Sequence, residues 1–210
     1  MSQVTIYGPP QSSYVRTARL VCEEKGVAYE LAPVKFGGDE HLAMHPFGRV
    51  PIFTHGDVRL VETSAIARYV DEVFPGPSLV PATAIERARM EQWISMVNSY
   101  LYEDIIKKYV LAYIFPKTED KSPDRALIAA ALPNLQRDLE IVDRAVGEHP
   151  WLAGETLSLA DLFLCPILAS ASMFPEAKEI MGQLKNLPRA GAAMMSRPSV
   201  AKTTPPMPGR

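Results

Sequence analysis

The feature that most constrains this chain is the break at Phe74-Pro75-Gly76-Pro77. Two prolines around a glycine end any regular element, and the residues up to about 83 read as a linker. Before the break, short alternating apolar runs take turns with helical spacing; after it, only helical spacing remains. Val4 and Ile6 share one face of a strand, residues 13–25 contain neither Gly nor Pro and stop at Lys25-Gly26, and Val27, Tyr29 and Leu31 alternate again. Asp39 to Met44 makes a brief helix ended by His45-Pro46. Two apolar runs flank His55-Gly56-Asp57 as a hairpin, and Thr63 opens a helix with Ile66, Val70 and Val73 on one side. The expected order is β-α-β-α-β-β-α over 1–76, followed by an all-helical region over 84–210.

Within the helical part, Ala84 to Phe115 contains neither Gly nor Pro and predicts one long helix. Ser122-Pro123 reads as a cap followed by proline at the first helical position, and Pro133 is expected to kink or end the helix that follows. Ser158 with Asp161 three residues on has the form of a capping box, and the proline-rich tail from Thr203 is expected to be irregular.

Composition narrows the function classes. The 210 residues hold 22 Lys+Arg against 24 Asp+Glu, a net charge of −2, which argues against a basic surface for nucleic acid. No apolar run reaches the roughly 18 residues of a membrane helix. The start, MSQVTIY, has no charged segment leading into an apolar signal core, so a cytoplasmic protein is expected. Cys22 and Cys165 are far apart, and no Cys/His cluster has zinc spacing. Of the four histidines only His41 and His45 stand four apart, on a short segment running into Pro46, so no metal is expected.

Three segments carry candidate chemistry. In YGPPQSS, Ser12 and Ser13 begin a helix, where a hydroxyl, free backbone N–H groups and the helix dipole all favour an anion. They read equally as ordinary caps. A thiol held there ionises more easily than a free one, whose pKa is about 8.5. In HPFGRVPIF, Pro51 follows a branched residue just before a strand, a setting for a cis peptide that turns the N–H and C=O of Val50 outward toward an extended peptide ligand. In VETSAI, the Thr63 N–H and hydroxyl can receive a carboxylate while Glu62 pairs an ammonium, so a ligand with an α-amino-acid end satisfies both.

Jointly these segments resemble the glutathione transferase superfamily, over nearly the whole chain. HPFGRVP is similar to the family's N-P-F-G-x-V-P with His45 in place of Asn, VETSAI to its E-S-x-A-I with Thr63 in place of Ser, and WLAGETLSLADL to the capping-box segment of its C-terminal domain. The resemblance implies a thioredoxin-like domain before the helical one, glutathione as co-substrate, no metal, a homodimer, and conjugation of small hydrophobic electrophiles in detoxification or reduction of peroxides. It makes Pro51 the cis-proline, pairs Val50 with the cysteinyl part of glutathione, and gives the γ-glutamyl end to Glu62 and Thr63. Arg49 becomes a further contact, with Lys35 and His41 as candidates for the glycine carboxylate across a shortened loop, KFGGDEH.

Three hydroxyls compete to activate the thiol. Ser12 takes the place used by serine-type members, which include phi, theta and bacterial beta-like classes, and Arg16 four residues on matches several of them. Tyr7 stands where tyrosine-type members place theirs, although strand alternation turns it away from Val4 and Ile6. Ser13 is the third. The paired serines are also similar to the S-S-C motif of the isomerase-like class, but Tyr14 replaces the cysteine. The electrophile is expected against the long helix, with Tyr102, Tyr109 and Tyr113 near helical spacing; core packing or dimer contact explains that set equally. A non-catalytic binding or scaffold protein of the same fold is the alternative, and disulfide exchange is disfavoured because no cysteine opens the first helix.

Overall fold

The computed structural model describes residues 2–206. The chain forms two compact units, and the first joins residues 2–79 with 195–206. Val4–Tyr7 (β1), Tyr29–Ala32 (β2), Ile52–His55 (β3) and Val58–Val61 (β4) form one sheet in the order β2-β1-β3-β4. β1 runs parallel to β2 with Ile6 opposite Leu31, and antiparallel to β3 with Ile6 opposite Phe53. β3 and β4 are antiparallel, joined through Gly56 at φ 59°, the left-handed residue that a tight hairpin requires. The parallel pair needs a crossover, supplied by Ser13–Glu24 (α1). Asp39–Met44 (α2) precedes β3, and Thr63–Val73 (α3) follows β4 and packs on α1. The β-α-β-α-β-β-α order is that of the thioredoxin-like fold.

The core of this unit follows from alternation on the strands and amphipathic stripes on the helices. Val4, Ile6, Ile52 and Phe53 from the sheet meet Val15, Leu20, Val21, Ile66, Ala67 and Val70 from α1 and α3, all buried. Val73, expected on the same stripe, is 50% exposed, and Phe74 is buried beyond the helix end instead. Below the sheet, Lys25 and Asp71 form a buried ion pair at 3.2 Å, and the ammonium also donates to the carbonyls of Asp71 and Pro77. Asp71 in turn accepts the Leu79 N–H at 2.8 Å, which fixes the chain leaving the break.

The second stretch of this unit corrects the expected boundary, which assigned everything from 84 onward to the helical part. Pro198–Thr203 (α10) packs on α1 because α1 presents three long polar side chains to it. Arg16 donates to the Val200 carbonyl and the Thr204 hydroxyl, and Arg19 to the carbonyls of Lys202 and Thr203. Glu24 takes both arms of Arg197 at 2.6 and 2.8 Å and the Ser199 hydroxyl. Two guanidinium groups thus sit at the carbonyl end of α10, where the helix dipole favours cations. Residues 204–206 are irregular as expected; 207–210 of the proline-rich tail lie outside the described residues.

The second unit spans residues 80–194. Ala84–Met96 (α4), a π-helical stretch over Val97–Val110 and Leu111–Ile114 (α5) run on without interruption, so the long helix is present but its middle is π-helical. Arg125–Glu148 (α6), Leu159–Ala171 (α7), Pro175–Gln183 (α8) and Leu187–Met195 (α9) complete the set. Asp124, and not Ser122, caps α6, accepting the Leu127 N–H at 3.0 Å. Ser122 is held outside the helix because its N–H and hydroxyl both donate to Asp120. Pro133 does not end α6: it and Ala129, whose carbonyl loses its partner, are both exposed, so water replaces the missing bond. Asp161 accepts the Ser158 N–H and the Ser158 hydroxyl, each at 2.9 Å, and so completes the capping box that starts α7.

Candidate active site

Ser12 caps α1 with extended dihedrals of φ −66° and ψ 126°, and its Oγ accepts the Val15 N–H at 3.4 Å. Because the oxygen is occupied as an acceptor, the hydroxyl hydrogen is left to donate outward. The first turn of α1 contains no acidic residue, so nothing in the helix itself neutralises the positive end of its dipole. Ser13 is the first helical residue, and its carbonyl accepts the Thr17 hydroxyl at 3.1 Å. Tyr7 ends β1 between Ala32 and Ile52, half-buried, with Val4 and Ile6 fully inside on the other face.

Gly8 brings the next segment in. It has φ 140°, and a Cβ there would stand 2.6 Å from Val15 Cγ2 and 3.0 Å from Val50 Cβ. Only glycine lets the end of β1, the start of α1 and the Val50 loop approach this closely. The Val50-Pro51 bond is cis, and no other described residue hydrogen-bonds the Val50 N–H or C=O. Glu62 lies between β4 and α3 at φ 69°, an uncommon conformation for a residue with a side chain, and its carboxylate is exposed. Thr63 follows as the buried first residue of α3, whose start has no side-chain cap. Strain of this kind, of order 1–3 kcal/mol, persists where function or packing demands it.

The other sequence candidates separate. Arg49 is exposed, as is Lys35 in the loop between β2 and α2. His41 is buried; its Nε2 stands 3.0 Å from the Arg49 carbonyl and its Nδ1 accepts the Gly37 N–H. Its ring therefore binds the protein's own loop. His45, noted in the sequence as a departure from a motif and as one of two histidines four apart, is 2% exposed, and its Nδ1 accepts the Phe47 N–H at 3.2 Å. Burial pushes the His45 imidazole below its ordinary pKa, with His41 and Arg49 adding to the effect and Glu62 opposing it. Cys22 is ruled out as a rival nucleophile, since burial first and then Glu23 push its thiol up to about 12. Among the described residues no group of three or more His, Cys, Asp or Glu side chains could hold a metal.

In the helical unit, Tyr109 is fully buried, donating to Glu176 at 2.9 Å and accepting the Ala177 N–H. The expectation that it faces a ligand is corrected: its ring is core and its hydroxyl is committed. Tyr113 stacks on Phe174 at 4.1 Å and 15°, shares Glu176, and lies beneath the Arg125 guanidinium. Burial and Glu176 push both phenols above their ordinary range. Tyr102 is half-buried on the π-helical stretch.

Residues 2–72 match the family model of the glutathione S-transferase N-terminal domain, and 103–198 that of the C-terminal domain. The chain belongs to the glutathione S-transferase family. Glutathione S-transferase F9 of Arabidopsis thaliana is 34% identical over 168 residues, 77% of either chain, and glutathione S-transferase 3 of Zea mays is 29% identical over 99% of this chain and 96% of its own. Among solved structures, glutathione transferase F7 from Populus trichocarpa superposes with a TM-score of 0.87 at 25% identity, covering 95% of this chain and 97% of its own. A theta class glutathione S-transferase from Xanthomonas axonopodis pv. citri, with glutathione bound, gives 0.81 at 29% identity over 97% of both chains. Within the family frame, sequence reasoning missed the two-histidine link under the Val50 loop and the arginine clamp between α1 and α10. The signal for the first was present, in the imidazole at motif position 45; the second depends on pairings about 180 residues apart.

Proposed function

We propose that this protein conjugates the thiolate of glutathione to small apolar electrophiles, with Ser12 donating the hydrogen bond that stabilises the thiolate. The observation that carries the reading is the close approach at Gly8 of Val15, in the first turn behind the Ser12 cap, and Val50 before cis-Pro51, with the Ser12 hydroxyl left a donor to spare and the Val50 backbone unpaired. The cysteinyl backbone pairs with Val50 as an added strand. The strained Glu62 and the start of α3 at Thr63 take the γ-glutamyl ammonium and carboxylate. Arg49 and Lys35 serve the glycine carboxylate. Serine is a poor base near neutral pH, so Ser12 stabilises the thiolate and does not abstract its proton. Tyr7 and Ser13 are the rival donors, and peroxide reduction uses the same thiolate. Tyr102 and Tyr113 remain as contacts for the electrophile.

The relatives support a homodimer only by analogy, and that assembly is part of the proposal. So is a cytoplasmic setting in detoxification, which suits two buried cysteines that form no disulfide. The test is retention on immobilised glutathione followed by conjugation of a chlorinated nitroaromatic. Retention with turnover is expected; retention without turnover favours a binding protein, and the absence of both refutes the reading.

A further inference from the structure

The loop that carries Arg49, Val50 and Pro51 is held by two imidazoles four residues apart, His41 on α2 and His45 at its C-terminal cap. His45 begins the turn into the loop: its carbonyl accepts the Gly48 N–H at 2.8 Å and its Nδ1 accepts the Phe47 N–H at 3.2 Å. An asparagine here would use its side-chain oxygen in the same way, accepting the N–H two residues on. The imidazole therefore reproduces an Asx-type turn with a group that titrates. His41 makes the second tie, between the Gly37 N–H at Nδ1 (3.4 Å) and the Arg49 carbonyl at Nε2 (3.0 Å). Gly48 turns the chain beside the His41 ring at φ 57°, the left-handed region that favours glycine.

The hydrogen bonds fix the protonation state of both rings. A backbone N–H only donates, so each Nδ1 that faces one must be bare, and each ring is the neutral Nε2–H tautomer. For His41 this agrees with its other partner, since Nε2–H donates to the Arg49 carbonyl. A proton added to either Nδ1 would set two donors against each other. Both side chains are almost fully buried, at 1% and 2% exposure, so neither can turn into water without opening the turn. The charged groups acting on His45 are Glu62 at the start of α3, which favours its protonation, and Arg49 in the loop, which opposes it. His41 is further enclosed by the edge of Phe36.

We propose that His41 and His45 are positioning residues, a pair of imidazoles that hold the Val50 loop in its binding form, and that protonating His45 releases the loop and weakens glutathione binding. The proposal rests on the glutathione reading of this site. Its magnitude follows from population: if binding requires a neutral His45 ring, the apparent affinity falls in proportion to the neutral fraction, up to about tenfold per pH unit. This assigns His41 to the loop's support and not to direct contact with the glycine carboxylate.

The test is calorimetric titration of the whole protein with S-methylglutathione, which has no thiol to ionise, from about pH 8 through the ordinary imidazole pKa down to about pH 5, because burial holds His45 below that ordinary value. The wild-type affinity is expected to fall in acid. His45→Asn keeps an acceptor for the Phe47 N–H and does not titrate, so it should lose less affinity on acidification. His45→Leu has no acceptor and should bind weakly at both pH values. A wild-type pH slope in His45→Asn, or wild-type affinity in His45→Leu, overturns the proposal. Binding at pH 8 that is unchanged down to about pH 5 overturns the brace and leaves the glutathione reading intact; no binding at pH 8 overturns that reading. A ligand-free readout separates the two again: nitrogen–proton correlation spectra at pH 8 must show both rings as Nε2–H tautomers, and an Nδ1–H signal from either one refutes the brace.

Discussion

Replacing Ser12 by alanine removes two interactions that can be measured apart. The first is structural. Loss of an N-cap costs about 0.5–2 kcal/mol, and the 3.4 Å bond to the Val15 N–H is long, which places this one near the lower end, about 0.5–1 kcal/mol. For a chain of this size that is a fall of about 1–4 °C in Tm. The second is chemical. A hydrogen bond to a charged acceptor contributes about 1.5–3 kcal/mol, and one pKa unit corresponds to 1.36 kcal/mol, so the bound thiol should rise by about one to two units. Where most of the thiol is protonated, the thiolate fraction and the rate of conjugation fall about 10–100-fold. The assay is titration of the ultraviolet thiolate absorbance of bound glutathione in Ser12→Ala, Ser12→Thr and Tyr7→Phe, beside a thermal melt of each. Ser12→Thr should restore most of both effects. An unshifted titration in Ser12→Ala together with a shift in Tyr7→Phe would refute the reasoning and move the role to Tyr7.

Four further expectations follow from the structure. Glu62→Gly relieves the positive φ and should raise stability by up to about 1 kcal/mol in urea denaturation, while loss of the ammonium partner weakens glutathione binding about 10–100-fold; a destabilised variant with unchanged affinity would contradict the strain argument. Asp71→Ala leaves the Lys25 ammonium, whose side chain is 3% exposed, without its counter-charge and should cost about 3–5 kcal/mol. Glu72→Ala, which breaks only the exposed pair with Arg68, should stay within about 1 kcal/mol of the wild type in the same denaturation series. Burial pushes the Glu24 carboxyl upward, but its bonds to Arg197 and Ser199 outweigh this and hold it below the usual range. Its folded value is depressed, so its contribution is present above the unfolded pKa of about 4.3 and is lost as pH falls through the folded value. The stability advantage of the wild type over Glu24→Gln should therefore shrink in acid, and a constant difference across that range would refute the clamp's electrostatic basis.

What was legible in the sequence was local chemistry. Glycine after α1, proline after α2, the hairpin at Gly56, cis-Pro51 and the Ser158–Asp161 box each follow from one residue type in one short context, and the structure contains each of them. Expectations resting on periodicity were less secure at element ends: Val73 fits the stripe of α3 yet lies at the helix terminus, where the core no longer covers it. The π-helical middle of the long helix has no residue signal, because it shifts the bonding partner by one without needing glycine or proline. Tyr109 and Tyr113 share helical spacing with Tyr102, and only packing against Glu176 and Phe174 shows that Tyr109 is interior. The return of α10 to α1 was invisible for a different reason, since Arg16, Arg19 and Glu24 find their partners almost the whole chain away.

The central claim is that glutathione lies across the junction of β1, α1 and the Val50 loop with its sulfur at Ser12. A crystal structure of the protein with glutathione bound tests it most directly. The account predicts the sulfur within hydrogen-bond distance of Ser12 Oγ, the cysteinyl backbone paired with Val50, and the γ-glutamyl end on Glu62 and Thr63. A sulfur held by the Tyr7 hydroxyl, or glutathione bound away from Val50, would contradict it.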